Sequence, residues 1–232
     1  MDALTPEELT TIVLSLKVAG WATVASLVPA IAVAWLLARF EFPGRLLLNS
    51  VVHLPLVMPP VVTGYLLLLA FGRRGVIGAF LEENFGVVVA FRWSGAALAC
   101  AVMGFPLMVR AIRLGFEAID RRLEQAAATL GASPAWVFLT VTLPLAMPGV
   151  IAGAVLGFAK ALGEFGATIT FVSNIPGETQ TIPLAIYAFT QSPDGEAGAL
   201  RLTAIAIAIS LLALAASEVL ARRVARGGAE QR

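Results

Sequence analysis

The chain has 232 residues, of which 59% are hydrophobic and 13% charged, with 16 Lys and Arg against 15 Asp and Glu. Soluble domains carry roughly 45–50% apolar and about 25% charged residues, and the mean hydropathy of +0.88 points away from them, so an integral membrane protein is expected. A net charge of +1 gives no reason to expect nucleic acid as a partner; a single cysteine, Cys100, excludes an internal disulfide, and with His53 as the one histidine a His/Cys metal site is not expected.

The amino terminus, MDALTPEELTTIVLSLK, opens acidic, with Asp2, Glu7 and Glu8. A cleavable signal peptide needs a basic start and a short apolar run, so the first apolar segment is expected to be a permanent span. A helix of about 20 residues crosses the roughly 30 Å hydrocarbon core. Five stretches are apolar enough: 18–38, 46–71, 93–109, 145–172 and 202–220. Alternating strand patterns are absent, and in lipid the backbone must satisfy its own hydrogen bonds, which makes these helices. The second and fourth are longer than a straight span needs, and are expected to tilt, kink or fold back. Residues 182–189 are apolar but too short to span; they read as an interfacial or re-entrant helix, and entry into the membrane would raise the count from five to six. The fold class is all-α, a polytopic helical membrane protein, expected as one domain over 1–232 without internal repeats.

Charge sets the orientation. With the 110–144 interval on the cytoplasmic side, that side holds Arg39, Arg45, Arg110, Arg113, Arg121, Arg122, Arg222, Arg223, Arg226 and Arg232. The outside holds Lys17, Arg73, Arg74, Arg92 and Arg201. Ten against five obeys the positive-inside rule, with the amino terminus outside and the carboxyl terminus inside.

The polar interval, about 117–144, is the least membrane-like part of the chain. FEAIDRRLEQAAATL has helix formers and no breaker, and Leu123, Ala126, Ala127 and Leu130 share one helical face. Gly131 is the left-handed residue expected just past a helix end, and Ser133-Pro134 reads as an N-cap followed by a first-turn proline. A second helix, PAWVFLTVTL, is expected to end at Leu143-Pro144. From periodicity alone this is a helical hairpin joining two spans. Its residues, however, resemble the EAA loop of binding-protein-dependent ABC importer permeases. In that pattern Glu-Ala-Ala is followed by glycine, a phenylalanine and Leu-Pro, and Gln125, Ala126, Ala127, Gly131, Phe138, Leu143 and Pro144 fall in its spacing. The resemblance implies a coupling helix that inserts into a cleft of a separate ATPase subunit. Gln125 departs from the pattern's glutamate; Glu124 lies one residue away, about 100° around the helix. A phosphate-binding loop needs a lysine after glycine, and neither Lys17 nor Lys160 follows one, so ATP hydrolysis has to come from another chain.

Residues 162–187, LGEFGATITFVSNIPGETQTIPLAIY, together with HLPLVMPPVVTGYLLL at 53–68 and the terminal SEVLARR, resemble molybdate permeases; tungstate and sulfate permeases are close alternatives. The resemblance implies a homodimer with two ATPase subunits and an external molybdate-binding protein that makes the tight selection, and no cofactor. A doubly negative oxyanion needs hydrogen-bond donors, which Thr168, Thr170, Ser173 and Asn174 could offer, although such groups in membrane helices commonly bond their own backbone. Lys160 and Glu164, four apart, read as a compensating structural or gating pair rather than substrate ligands. His53 is expected to satisfy backbone groups opened by a proline kink, and Pro59, Pro60 and Gly64 are candidate hinge or gate elements. Two other classes fit less well. An intramembrane enzyme would be left with Ser–Lys arrangements for chemistry, and a secondary carrier would normally show inverted repeats.

Overall fold

The structure, a computed structural model, describes residues 4–229; for 217, 218 and 220–229 it describes the backbone alone. Arg222, Arg223, Arg226, Arg232 and Asp2, which entered the charge and terminal patterns, therefore lie outside the described side chains. The described chain is helical throughout: α1 (Pro6–Arg39), α2 (Arg45–Val57), α3 (Pro60–Phe71), α4 (Val76–Phe85), α5 (Trp93–Glu117), α6 (Arg121–Thr129), α7 (Pro134–Val137), a π-helical turn (Phe138–Thr142), α8 (Leu143–Leu162), α9 (Gly166–Val172), α10 (Ile182–Thr190) and α11 (Glu196–Ala229).

Among the described residues, four helical units are long and apolar enough to cross a membrane: Pro6–Arg39, Trp93–Glu117, Pro134–Leu162 and Glu196–Ala216. The expected second span is broken. Its halves, α2 and α3, meet at 113°, for a local reason: Met58 and Pro59 both precede a proline and hold extended ψ values of 145° and 134°, the conformation forced on a residue before proline. Counting the bent pair, the spans number five. Six is not reached, because α10 has nine residues and covers only about 14 Å at 1.5 Å each.

The bundle is organised around α5, which packs along both α1 and α8. One apolar cluster joins Leu14, Val18, Cys100, Met103, Leu162 and Phe171; a second joins Ala30, Leu37, Met108, Ile112, Phe116 and Val150 towards the end that carries the polar interval. Close approach of α5 and α8 depends on facing glycines: a Cβ at Gly149 would lie 2.8 Å from the Cα of Gly115. The other ends of α1 and α11 are tied by a buried carboxylate. Thr5 and Glu8 form a capping box at the start of α1, and Glu8 Oε1 accepts from Arg201 Nη2 and Nε at 2.8 and 3.1 Å. Apolar side chains such as Val13, Val24, Val28, Leu211 and Leu212 stay exposed, as an outer surface facing lipid requires.

Four expected boundaries move. The first helix starts at Pro6, twelve residues ahead of the expected span, and the third runs on to Glu117 rather than stopping at 109. The run 116–130 is not continuous: Asp120 takes an extended conformation and its side chain caps α6 by accepting from Arg122 N–H. Leu143-Pro144 does not end a helix, because the preceding π turn, in which Leu143 N–H donates to Phe138 O, widens the backbone enough to seat a proline inside a continuous unit. We predict that Gly149→Leu lowers the thermal unfolding midpoint of the detergent-solubilised protein, at a cost of about 1–3 kcal/mol or more from overpacking. Gly20→Leu, where nothing lies within 4 Å of an added Cβ, should leave the midpoint unchanged; equal effects would show that the close approach is not limiting.

Candidate functional site

The polar interval folds as the hairpin its sequence describes. Gly131 has φ +87° with nothing within 4 Å of an added Cβ, so backbone conformation and not space requires glycine there. Ala132 N–H bonds Ala127 O at 3.3 Å and Gly131 N–H bonds Ala128 O at 3.0 Å, the paired bonds of a Schellman end. Ser133 Oγ then accepts from Trp136 N–H and Pro134 opens α7.

The face anticipated from periodicity is uncovered. Leu130 is 89% exposed and Trp136 62%, Leu123 is also exposed, and no residue of α6 is buried. Around the turn, Ala127, Leu130, Gly131, Ser133, Trp136 and Thr140 line a cleft of about 680 Å³. Phe138 has the opposite role: its ring sits 5.2 Å from Trp35 and 6.2 Å from Phe116, anchoring the hairpin to α1 and α5. Gln125 and Ala126 are exposed. Glu124 turns inward and pairs with Arg39 at 2.9 Å. Leu143 and Pro144 belong to the first turn of α8.

The second candidate group lies where the long apolar stretches break. The fourth stretch, read as 145–172, is interrupted between Leu162 and Gly166, which places Glu164 past the end of α8 instead of on one continuous helix with Lys160. The two still meet: Lys160 Nζ donates to Glu164 Oε2 at 2.6 Å, and Ala167 N–H donates to Oε1 at 2.9 Å. Glu164 is 2% exposed. The start of α3 packs on the start of α9, so that a Cβ on Gly166 would lie 2.8 Å from Cβ of Pro60, and one on Gly64 would collide with the backbone carbonyl of Ala167. Pro59, Pro60 and Gly64 are thereby brought against the segment that follows Lys160 and Glu164.

Two of the three hydroxyls read as oxyanion donors are engaged locally. Thr168 Oγ1 donates to Phe165 O at 2.9 Å and Thr170 Oγ1 to Gly166 O at 2.9 Å. Ser173 is exposed, with φ +63°, and Asn174 Nδ2 donates to Leu184 O. His53 Nδ1 meets Asn49 O at 2.8 Å; the carbonyl that Pro55 deprives of a donor is that of Val51, four residues back, so the kink-repair role does not hold. Sequence reasoning missed Arg39, Thr142 and Thr179. Thr179 accepts from Ile175 N–H and donates to Ser173 O, closing the 173–179 loop on itself; the Thr179 and Ser173 contact was hidden by the six-residue separation.

Long apolar helices, one sharply bent pair and an exposed capped hairpin define a polytopic membrane permease fold. The sequence matches the family described as binding-protein-dependent transport system inner membrane component over residues 30–226, and the chain belongs to this family. It is therefore a multi-pass inner-membrane subunit of a transport system and not an enzyme. It is 61% identical over 219 residues to the molybdenum transport system permease protein ModB of Escherichia coli (strain K12), covering 94% of this chain and 96% of that one. The corresponding Haemophilus influenzae protein is 60% identical over 217 residues, 94% and 95% of the two chains. The sulfate transport system permease protein CysT of Salmonella typhimurium is 37% identical, covering 83% of this chain and 69% of its own. The fold is shared with a bacterial alginate ABC transporter solved with an alginate pentasaccharide-bound periplasmic protein, at TM-score 0.74 and 17% identity over 95% of this chain and 80% of that one. An amino acid ABC transporter gives TM-score 0.64 at 20% identity, over 94% of each chain.

Removing one member of the Lys160–Glu164 pair leaves its partner uncompensated in a largely buried setting, at a cost on the order of 1–3 kcal/mol given that Lys160 is partly exposed. Lys160→Met or Glu164→Gln alone should therefore reduce the thermal midpoint and uptake more than the two together. A double variant whose loss equals the sum of the singles would exclude a compensating pair.

Proposed function

We propose that the chain is a single permease domain that works as a homodimer with two ATPase subunits and moves molybdate delivered by an external molybdate-binding protein. The observation that carries the substrate is the near full-length likeness to the Escherichia coli and Haemophilus influenzae permeases, whose names specify molybdenum; the likeness to the sulfate permease is weaker. Molybdenum is soluble in oxygenated water as the molybdate dianion. With Thr168 and Thr170 donating to their own backbone, the pathway offers weak and transient contacts, which fits selection by the binding protein.

In this mechanism ATP closes the ATPase subunits on each other and draws the two 117–144 hairpins together. The exposed Ala126, Leu130 and Trp136, with half-buried Ala127, fit a cleft in the ATPase, with Gly131 setting the angle between α6 and α7. The motion reaches the bundle through α8, which is continuous with α7, and switches the pore from inward-facing to outward-facing. Pro59, Pro60 and Gly64 against Gly166 and Ala167 form the natural gate, because two short half-helices can shift without breaking a long one. Lys160 and Glu164 hold the end of α8 to the start of α9 during that shift, with Ser173 at the far end of α9.

The complete system in proteoliposomes tests both parts. Labelled molybdate uptake should be ATP-dependent, competed by tungstate and poorly competed by sulfate; the reverse order of competitors would overturn the substrate. Ala127→Trp should insert normally while losing co-purified ATPase and uptake together, and normal binding with normal uptake would mean that the hairpin is only a connector. For orientation, the proposal is an external amino terminus and an internal hairpin, following the arginine bias. In a Cys100→Ala background, single cysteines replacing Thr5 and Ser133 should label oppositely with an impermeant thiol reagent, and labelling of the Ser133 position from outside intact cells would invert the topology.

A further inference from the structure

The hairpin meets the bundle through two kinds of contact. One is apolar, with Val137 buried and Phe138 between the rings of Trp35 and Phe116. The other is polar: Glu124 Oε1 accepts from Arg39 Nη2 at 2.9 Å and from Thr142 Oγ1 at 2.7 Å. Arg39 is the last residue of α1 and its side chain is 9% exposed, while Thr142, the last residue of the π turn, is buried. One carboxylate oxygen thus joins three elements that are 85 and 18 residues apart in sequence. Between the two lies a cavity of about 350 Å³ bounded by Trp35, Arg39, Phe40, Glu124, Ala128 and Phe138. No residue of α6 is fully buried, so its angle leans on these contacts at its flanks. Apolar contacts around Val137 and Phe138 are not directional; the Glu124 hydrogen bonds are, and they define the direction of the hairpin.

We propose, resting on the coupling role assigned above to residues 117–144, that Arg39, Glu124 and Thr142 form a positioning clamp that makes ATPase movement drive α1 as well as α8. The clamp accounts for the displaced acid. With Gln125 outward and Glu124 about 100° around the helix, the carboxylate bonds the permease's own first span and not the exposed surface offered to the ATPase. Glu124 is the carboxylate paired with this guanidinium among the described residues, and Arg39 Nε is already buried with no hydrogen-bond partner, so removal of Glu124 leaves a largely buried cation unpaired.

The test uses the whole transporter in proteoliposomes, scoring permease inserted, ATPase retained, ATP hydrolysed and molybdate taken up per ATP. Glu124→Gln should retain its ATPase and continue to hydrolyse ATP, while uptake per ATP falls by about tenfold, the size of a 1.4 kcal/mol coupling loss. The charge exchange Arg39→Glu with Glu124→Arg should recover most of that ratio. An unchanged ratio in Glu124→Gln overturns the clamp, as does loss of bound ATPase that the exchange fails to restore, because Glu124 would then contact the ATPase itself. If Glu124→Gln does not insert, Thr142→Val and Thr142→Ser decide: the serine should keep the ratio and the valine lower it severalfold, and equal ratios overturn the clamp. Failure of the coupling role itself appears separately, as normal ATPase binding and uptake in Ala127→Trp.

Discussion

Backbone contact between α5 and α8 is the constraint from which the rest of the bundle follows. Helices in lipid gain nothing by hiding apolar side chains from one another, so their association rests on van der Waals packing and on polar contacts. Gly115 facing Gly149 brings two main chains together where any side chain would hold them apart. That approach lets α5 lie against α1 on one side and α8 on the other, and it fixes the separation over which the hairpin joining α5 to α8 must bridge. The polar interval can be short and open because the helices it connects are already side by side.

Against this rigid centre, the irregular segments are concentrated where the chain departs from single spans. The bend between α2 and α3 and the break between α8 and α9 pack directly on each other through Pro60, Gly64, Gly166 and Ala167. Each break leaves backbone groups without helical partners, and local bonds take up some of them: Val62 N–H donates to Pro59 O, and the Glu164 carboxylate accepts from Ala167 N–H. Non-helical backbone at membrane depth is tolerated only when buried in protein or lining a cavity. The two breaks pack on one another, while Pro59, Pro60 and Gly163 stay exposed on this chain. Ion pairs follow a related economy of placement, with Glu8–Arg201, Lys160–Glu164 and Arg39–Glu124 all at or next to helix ends.

The sequence makes some of this plain and hides the rest for identifiable reasons. Hydropathy reports the spans because about 20 apolar residues in a row have no other common use. Gly131 and Ser133-Pro134 announce the hairpin turn because left-handed backbone and first-turn proline are nearly residue-specific. Asp120 escaped notice as a cap because it lies within a run of good helix formers, and capping depends on a ψ value that composition does not carry. The break after Leu162 was legible as excess length but not as a position. Glu124 was named for its neighbourhood to Gln125; its partners Arg39 and Thr142 are long-range and have no periodic signature. The threonines at 168 and 170 show the opposite limit, since a hydroxyl looks the same in sequence whether it faces a pathway or its own carbonyl.

The π turn at 138–142 has a consequence for how this region tolerates change. It contains one residue more than an α-helical path would use, and each added residue rotates what lies upstream by about 100°. The stripe that α8 presents to α5 therefore does not extend in phase into α7, and Trp136 points where it does only because of the extra residue. Loss of one residue between Phe138 and Thr142 would draw the turn towards regular α geometry, at the cost of the widened backbone that seats Pro144. The same deletion would swing the tip of the hairpin by more than a quarter turn. Insertions and deletions in this stretch are thus governed by angular phase, and a chain that folds well after such a change would still aim its exposed face at the wrong neighbour.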